Sequence, residues 1–160
     1  MYINLIVAYC KNRGIGMNNK LPWSYKEDLK YFKTVTTGNK KNAIIMGKNT
    51  FNSIGRILPN RYNIILSTTS TLVTNKNYAI CNSIYSAINL CKQLNMENVF
   101  IIGGANVYNQ SLQLDLIDYI YATEINKDYE CDTFIDLFND FKCIEEKKTN
   151  DLNFKIFKKI

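Results

Sequence analysis

Within residues 15–33, IGMNNKLPWSYKEDLKYFK, one carboxylate occupies a position that calls for chemistry. The first 61 residues carry eleven Lys or Arg and only two acids, Glu27 and Asp28. Pro22 fits just ahead of a helix and Ser24 is a good N-cap, so the pattern predicts a helix over 25–34. Lys26, Lys30 and Lys33 then share a side that faces water, where Glu27 can meet Lys30 or Tyr31. Asp28 lies about 160° round from Lys26 and Lys30, on a face with Tyr25 and Phe32 and beside Leu29. It has no cation on its own face of the helix and points toward apolar surface. Burying such a group is costly, so it must find hydrogen-bond donors or keep its proton through a raised pKa. Both suit a site for a cationic or donor-rich ring. Two blander readings stay open at this level: a carboxylate that caps a loop, or one paired with an arginine from elsewhere in the chain.

Two further groups could act with it. The apolar runs NAIIMG, ending at Gly47, and NVFIIGG, ending at Gly103-Gly104, each lead into a helix start, KNTFNSI and ANVYNQSL. Backbone N–H groups at such junctions can hold a phosphate, and ligands of parallel sheets bind at the carboxyl ends of strands. Neither junction is a GxGxxG fingerprint, and glycines tighten many turns. Two junctions with Lys48, Asn49 and Thr50 at one of them point to a phosphate-bearing cofactor. Arg61, delivered by the turn GRILPNR, offers a fork for a carboxylate but alone reads as a surface charge. The chain has no His, which removes histidine general-base mechanisms and argues against zinc, so no metal is expected. Five cysteines, odd in number, scattered and without a CxxC pair, suggest free thiols in a reducing compartment. Chemistry therefore falls to carboxylates, hydroxyls, backbone or a cofactor.

The elements that position these groups can be read along the 160 residues, a length for one domain, 1–160, with a single core. The composition, 46% hydrophobic and 21% charged, is globular. No run of eighteen apolar residues could span a membrane. The apolar start lacks a basic leader and reads as a first strand, INLIVAY, not as a signal peptide. A polar loop KNRGIGMNNK, the Asp28 helix and the Gly47 strand and helix follow. Next come a strand YNIILS, a hydroxyl-rich loop over 68–76, a strand NYAIC, a helix SIYSAINLCKQLN and the Gly103-Gly104 strand and helix. This order indicates an α/β protein with a largely parallel sheet. From Leu116 longer strands, LIDYIYATEI, FKCIEEKK and NFKIFKKI, with a turn at 149–151, read as an antiparallel addition at the end of the sheet. Charge is uneven: residues 1–61 sum to +9, 62–141 to −6 and 142–160 to +3. A basic first third suits an anionic ligand or nucleic acid.

Taken together, the segments IGMNNKLPW with Asp28 five residues after Trp23, IIMGKNTFNSIGRILPNR, NIILS, IIGGANVY, YATEI and CDTF resemble dihydrofolate reductases, in the family's order and spacing as far as Phe134. The resemblance implies a single-domain dihydrofolate-reductase-like α/β fold: a mostly parallel central sheet, antiparallel C-terminal strands and flanking helices. It implies hydride transfer from NADPH to carbon 6 of 7,8-dihydrofolate, with a proton reaching N5. Asp28 is then the ionisable group that hydrogen-bonds the pterin 2-amino group and N3, with Thr123 and a water behind it, and Trp23 completes the catalytic set. The loop over 15–21 would control water access. Ile6, Ala8, Leu29, Phe32, Ile54, Arg56, Leu58, Ile102 and Tyr108 resemble the substrate walls, and Arg61 the arginine for the α-carboxylate. The residues that resemble the cofactor site are Ala8, Ile15, Gly16, Met17, Asn18, Asn19 and Lys20, then Gly47, Lys48, Asn49 and Thr50, then Leu66, Ser67 and Thr68. Gly103, Gly104, Ala105, Asn106, Val107 and Tyr108 complete it. In this family the Gly-Gly bond is usually cis. Asn106 stands where many relatives carry a second basic residue, so weaker binding of the 2′-phosphate is expected. Ile57 and Asn60, in place of a commoner proline and glycine, are turn substitutions.

Competing readings are a pyrimidine reductase of riboflavin synthesis, which would not need Asp28 and Arg61 together with LPW, and an inactive or nucleic-acid-binding relative. Aromatics in the first third do not interleave with Lys and Arg as on a stacking platform. The folate tail and a trisanionic cofactor account for the same charge. The expected partners are therefore dihydrofolate and NADPH, with no nucleic acid and no membrane, for a monomer in the cytoplasm.

Overall fold

The structure is a computed structural model that describes residues 1–69 and 71–160. Ser70, in the stretch expected as a hydroxyl-rich loop, lies outside the described residues.

In chain order the elements are β1 (Tyr2–Tyr9), β2 (Gly14–Gly16), α1 (Lys26–Thr37), β3 (Asn42–Gly47), α2 (Lys48–Ile54), β4 (Tyr62–Leu66), β5 (Val73–Thr74) and β6 (Tyr78–Cys81). They continue with α3 (Ile84–Gln93), β7 (Asn98–Ile101), α4 (Ala105–Gln113), β8 (Tyr119–Ile125), β9 (Thr133–Phe134), β10 (Phe141–Lys148) and β11 (Leu152–Lys159). Nine strands form one sheet in the order β10-β11-β8-β1-β7-β3-β4-β6-β5, and β2 with β9 forms a small antiparallel ribbon. The strands from β8 to β6 pair in parallel, whereas β10 and β11 at one edge and β5 at the other are antiparallel. Among the described residues no helix is long and apolar enough to cross a membrane.

Because side chains alternate across a strand, the two sheet faces bury different sets. Leu5, Val7, Ile45, Ile64, Val99, Ile101 and Ile120 fill one core with residues of α3 and α4. Ile6, Ile44, Met46, Phe100 and Ile102 fill the other, against Phe32 and Val35 of α1 and Phe51 and Ile54 of α2. Near-continuous apolar runs such as NAIIMG are what a strand covered on both faces requires.

The sheet does not stay continuous to its carboxyl end. β7 sits between β1 and β3, and its last pairings are with Leu5 on one side and Ile45 on the other. β1 continues to Tyr9 and β3 to Gly47. Beyond Ile101 the chain keeps to the β3 side, with Ile102 N donating to Ile45 O and Gly47 N to Gly103 O. A cleft therefore opens beside residues 6–9 of β1, at the place where parallel sheets bind ligands.

Several expectations are corrected. Ser24 is not the N-cap of α1; Tyr25 is, in extended conformation and without a side-chain cap bond. The helix also runs on past the expected end at 34 to Thr37, through the β-branched stretch TVTT. Tertiary contacts outweigh that propensity: Thr36 is fully buried, its Oγ1 donates to Phe32 O, and Asn42 Nδ2 donates to Thr36 O. Glu27 makes no ion pair with Lys30 among the described residues, as is common for solvated surface charges. The polar loop after β1 contains β2, and the 68–76 loop contains β5. The strand read over 116–125 is shorter and pairs in parallel with β1, so the antiparallel addition begins only with β10 and β11. The helix read from Ser83 is α3, capped by a reciprocal Ser83–Ser86 pair.

Asn63 is a polar residue inside the apolar run of β4, and it is fully buried. Its amide accepts from Leu58 N at 2.9 Å and donates to Leu58 O at 2.9 Å and to Arg61 O at 2.8 Å, so it clamps the turn ahead of β4. Asn60, in that turn, takes the left-handed φ of 64° that a glycine would otherwise supply. Asn63→Leu leaves these backbone groups unpaired and is expected to cost about 1–3 kcal/mol of stability, measured by urea unfolding.

Candidate active site

The cleft is lined by the groups that the sequence singled out. Ala8 of β1 is in register with Thr123 of β8, which in turn is in register with Phe154 of β11. Asp28 comes to Thr123 from the first turn of α1, and Tyr31, one turn further on, stacks on Phe154 with ring centroids 4.5 Å apart. Burial pushes the Asp28 carboxyl up from its ordinary range, the Thr123 hydroxyl pulls it partly back, and Glu27 adds a smaller upward push. Among the described residues no Lys or Arg reaches Asp28 within ion-pair distance, which removes the arginine-pairing alternative. Its neighbours feel the charge: Tyr31 is pushed up to about 12, chiefly by burial, with Tyr121, Glu145 and Asp28 contributing. The fully buried Tyr108 phenol is also raised, by burial and then by Asp28. Tyr108 donates its hydroxyl proton to Ile6 O at 2.7 Å, closing the β1 edge where β7 has stopped.

Trp23 is buried in a cluster with Cys10, Ile125, Leu152 and Phe154, and stacks at 5.3 Å on Tyr129. Its Nε1–H has no acceptor among the described residues. Phe154 is shared by the Trp23 cluster and the Tyr31 stack, which links Trp23 to the Asp28 side of the sheet.

At the other end of α1, Arg61 is nearly buried, at 8% exposure. Its Nε donates to Pro59 O at 3.0 Å and its Nη1 to Thr36 Oγ1 at 3.1 Å. Burial, then the neighbouring Arg56, lowers its pKa, yet a guanidinium stays charged. With two of five N–H donors committed to the protein, the fork is held in place and its second Nη1–H and both Nη2–H are left for a ligand. Phe32, Ile54 and Leu58 are half-buried and belong to the apolar surface between Arg61 and the sheet, together with the buried Ile102. Leu29 is 57% exposed and packs into none of the apolar clusters. Arg56 is exposed and makes no ion pair among the described residues.

The two glycine junctions meet. Gly47 N donates to Gly103 O at 2.8 Å, and the Gly103-Gly104 peptide is cis. A Cβ on Gly104 would lie 3.5 Å from Thr50 Oγ1, and one on Gly47 3.3 Å from Val107 Cγ2, so both positions are close-packed cradles. Neither Gly47 nor Gly104 offers a side-chain cap, which leaves the first backbone N–H groups of α2 and α4 open to an anion. Thr50 and Ala105 are half-buried there, while Lys48, Asn49 and Asn106 are exposed. Leu66 and Ser67 are half-buried and Thr68 exposed at the carboxyl end of β4. This donor set fits a phosphate-bearing cofactor.

Residues 17–20 form a hairpin with reciprocal backbone bonds between Met17 and Lys20 and both Asn18 and Asn19 at positive φ, a type I′ pattern. Ile15 and Gly16 lead into it from β2, and Asp132, ahead of β9, latches it. Asp132 N donates to Gly16 O at 3.0 Å, and its carboxylate accepts from Asn18 N at 3.0 Å. That bond, and a second from Thr133, holds the Asp132 carboxyl below its usual range.

Sequence reasoning missed Thr36, Asn63 and Asp132. Asn63 carried a visible signal, a polar residue in an apolar strand. Thr36 lay beyond the expected end of the helix, and Asp132 stood in the motif CDTF without a partner that could be named.

The model of the dihydrofolate reductase family matches residues 2–158 of the chain. A dihydrofolate reductase of Buchnera aphidicola is 39% identical over 171 aligned positions, which cover 100% of this chain and 99% of that protein. One of Drosophila melanogaster is 39% identical over 142, covering 82% of this chain and 77% of that protein. A bifunctional dihydrofolate reductase-thymidylate synthase of Daucus carota is 40% identical over 149 residues, but the chain spans only 28% of its length.

The burial of Asp28 has a sign that stability can read. A carboxyl raised by folding binds its proton more tightly in the native state, so stability falls as pH rises from the unfolded value through the folded one. The penalty is absent below the ordinary carboxylate range and complete above the raised folded value. Asp28→Asn is expected to raise the melting temperature by about 1–4 °C at pH 7, with the gain vanishing in acid, as followed by calorimetry across pH.

Proposed function

The chain belongs to the dihydrofolate reductase family, whose reaction is the reduction of dihydrofolate to tetrahydrofolate with a nicotinamide cofactor, and from that premise we propose NADPH as the donor and Asp28 as the ionisable group of the pterin pocket. The observation that carries this reading is a half-buried carboxylate with no cation, its pKa raised, beside Thr123 in the cleft where β7 ends. NADPH, when bound, supplies the hydride that reaches carbon 6 of the substrate.

The chain's own residues do the rest. Asp28 accepts hydrogen bonds from the 2-amino group and N3 of the pterin, with Thr123 orienting the carboxylate. In this desolvated setting its negative charge favours the substrate protonated at N5. The proton comes from water admitted past residues 15–21, and Trp23 Nε1–H, buried and without a protein acceptor, is placed to hold such a water. Ile6, Ala8, Leu29, Phe32, Ile54, Leu58 and Ile102 form the apolar walls, and Arg61 receives the α-carboxylate on its Nη1–Nη2 edge, with Arg56 near the tail. Tyr108 closes the β1 edge at Ile6 O, so that the rings meet the edge beyond it. Gly47 to Thr50, Leu66 to Thr68 and Gly103 to Val107 bind the cofactor, and residues 15–20 cover it. Lys48 meets the 2′-phosphate without a second basic residue, because Asn106 stands where many relatives carry one. On this reading the protein acts as a cytoplasmic monomer on small molecules, and its basic first third serves their anionic groups instead of nucleic acid.

The direct test is loss of the near-ultraviolet absorbance of NADPH with and without dihydrofolate. Loss that requires dihydrofolate and stops with methotrexate is expected; no such loss from folded protein would overturn the reading. Asp28→Asn should lower turnover by about 10²- to 10⁴-fold at neutral pH, while cofactor affinity, measured by fluorescence, stays within about twofold, since no cofactor contact changes. Arg61→Gln should raise KM for dihydrofolate by roughly 10- to 100-fold. Thr36→Val, which removes the bond that holds the guanidinium, should raise it by about three- to tenfold. With dihydropteroate, which lacks the glutamate, both penalties should largely disappear; if they persist, the two residues act on the fold and not on the carboxylate.

A further inference from the structure

Cys10, directly after β1, and Cys131, directly ahead of Asp132 and β9, are 121 residues apart in sequence, yet their sulfurs lie 4.0 Å from each other. Both are free thiols. Cys10 is buried and also donates to Asn12 Oδ1 at 2.9 Å, whereas Cys131 is half-buried and so within reach of a reagent. The niche exists because residue 14 is glycine: a Cβ there would sit 2.3 Å from Cys131 Sγ. Burial and the neighbouring Cys10 thiol push the Cys131 thiol up.

Both cysteines are rooted in the segments that carry the 17–20 hairpin. Cys10 N donates to Gly14 O and Cys10 O accepts from Arg13 N, at the entry to β2. Cys131 adjoins Asp132, whose backbone and carboxylate hold Gly16 and Asn18. A bond between the sulfurs would tie the end of β1 to the base of that latch.

We propose that Cys10 and Cys131 form a site of reversible disulfide formation that takes a low-molecular-weight disulfide as oxidant, and that the crosslink locks the 17–20 hairpin in its latched position. The Cys131 thiolate attacks one sulfur of the oxidant and forms a mixed disulfide, releasing the first small thiol. The Cys10 thiolate then attacks Cys131 Sγ, forming the protein disulfide and expelling the second small thiol. The two protein thiols lose two electrons and two protons, and the oxidant leaves as two thiols. An external dithiol reverses the exchange. The effect on turnover rests on the reading above, in which residues 15–21 admit water and cover the cofactor, and on the opening of this hairpin that such gating needs.

The test uses the full chain carrying Cys143→Ala, which removes the exposed thiol, treated with oxidised glutathione. Digestion without reductant should yield one linked pair of peptides, containing Cys10 and Cys131. The melting temperature should rise by roughly 5 °C or more, because a crosslink over so long a loop restricts the unfolded chain. Tryptic cleavage after Lys20 should slow at least about fivefold, as should turnover, both recovering with dithiothreitol, since the hairpin can no longer open. Adding Cys131→Ser should abolish all four changes. A lasting glutathione adduct on Cys131 with no linked pair, or a linked pair with cleavage at Lys20 unchanged, overturns the proposal. Absence of turnover in the reduced protein fails the reductase reading alone, and the linked pair, melting temperature and Lys20 cleavage still decide the crosslink.

Discussion

The early end of β7 is the constraint on which the rest of the site depends. A strand that stops at Ile101 while both neighbours continue leaves the edge of β1 from Ile6 to Tyr9 without its partner on that side. Unpaired backbone groups in a buried sheet are costly, so the fold either fills the gap or gives it to a ligand. Here it does both. Tyr108 takes Ile6 O from within the chain, and beyond that point the edge faces the cleft. The departing chain is drawn to β3 by Ile102 and Gly103, which brings the two glycine junctions into contact and sets the first turn of α4 beside that of α2. One shortened strand thereby creates the cleft and aligns the anion-binding backbone along its side.

The two charged groups of the cleft show how a fold tolerates a cost for function. Asp28 is desolvated without a cation in reach, and among the described residues only Thr123 compensates. Arg61 is nearly buried with no carboxylate paired to it among the described residues, and Pro59 O and Thr36 Oγ1 compensate. Each group is partly satisfied by neutral dipoles that orient it while leaving its charge available. Pairing the two would be the cheaper arrangement in stability. Holding them apart, at opposite ends of α1, leaves each able to gain when a ligand of complementary charge arrives, and makes α1 a ruler between a ring at one end and an acid at the other. The length of that ruler depends on α1 continuing through Thr36.

Much of this was legible in the chain. Asp28 announced itself because its helix puts every lysine on the other side, and the apolar runs with terminal glycines marked the junctions before any contact was known. Helix α2 and strands β3 and β10 fall where their patterns placed them. The errors share one cause. Ser24 has good capping chemistry and TVTT poor helix propensity, but the start and end of α1 follow from where Tyr25 must turn and from Arg61 and Asn42 meeting Thr36. Likewise β8 pairs in parallel with β1 and not as part of the antiparallel edge, because strand direction depends on which neighbour is free when the chain returns.

What the sequence by itself determined is local and periodic: which faces are apolar, where strands meet glycines, which acid lacks a cation, and that no imidazole takes part. Those features depend on residue type and spacing along a few turns of chain, and so they survive without coordinates. What only the tertiary structure decided is convergence. The clamp of Asn63 on the Arg61 turn, the Asp132 latch on Asn18, the Tyr108 bond to Ile6 and the approach of Cys10 to Cys131 join residues whose types are ordinary on their own. Most of them lie a hundred or so positions apart, and strand order and register alone set which of them meet. Their energies come from burial and from hydrogen bonds closed across that distance, quantities that come into being only when the sheet is assembled.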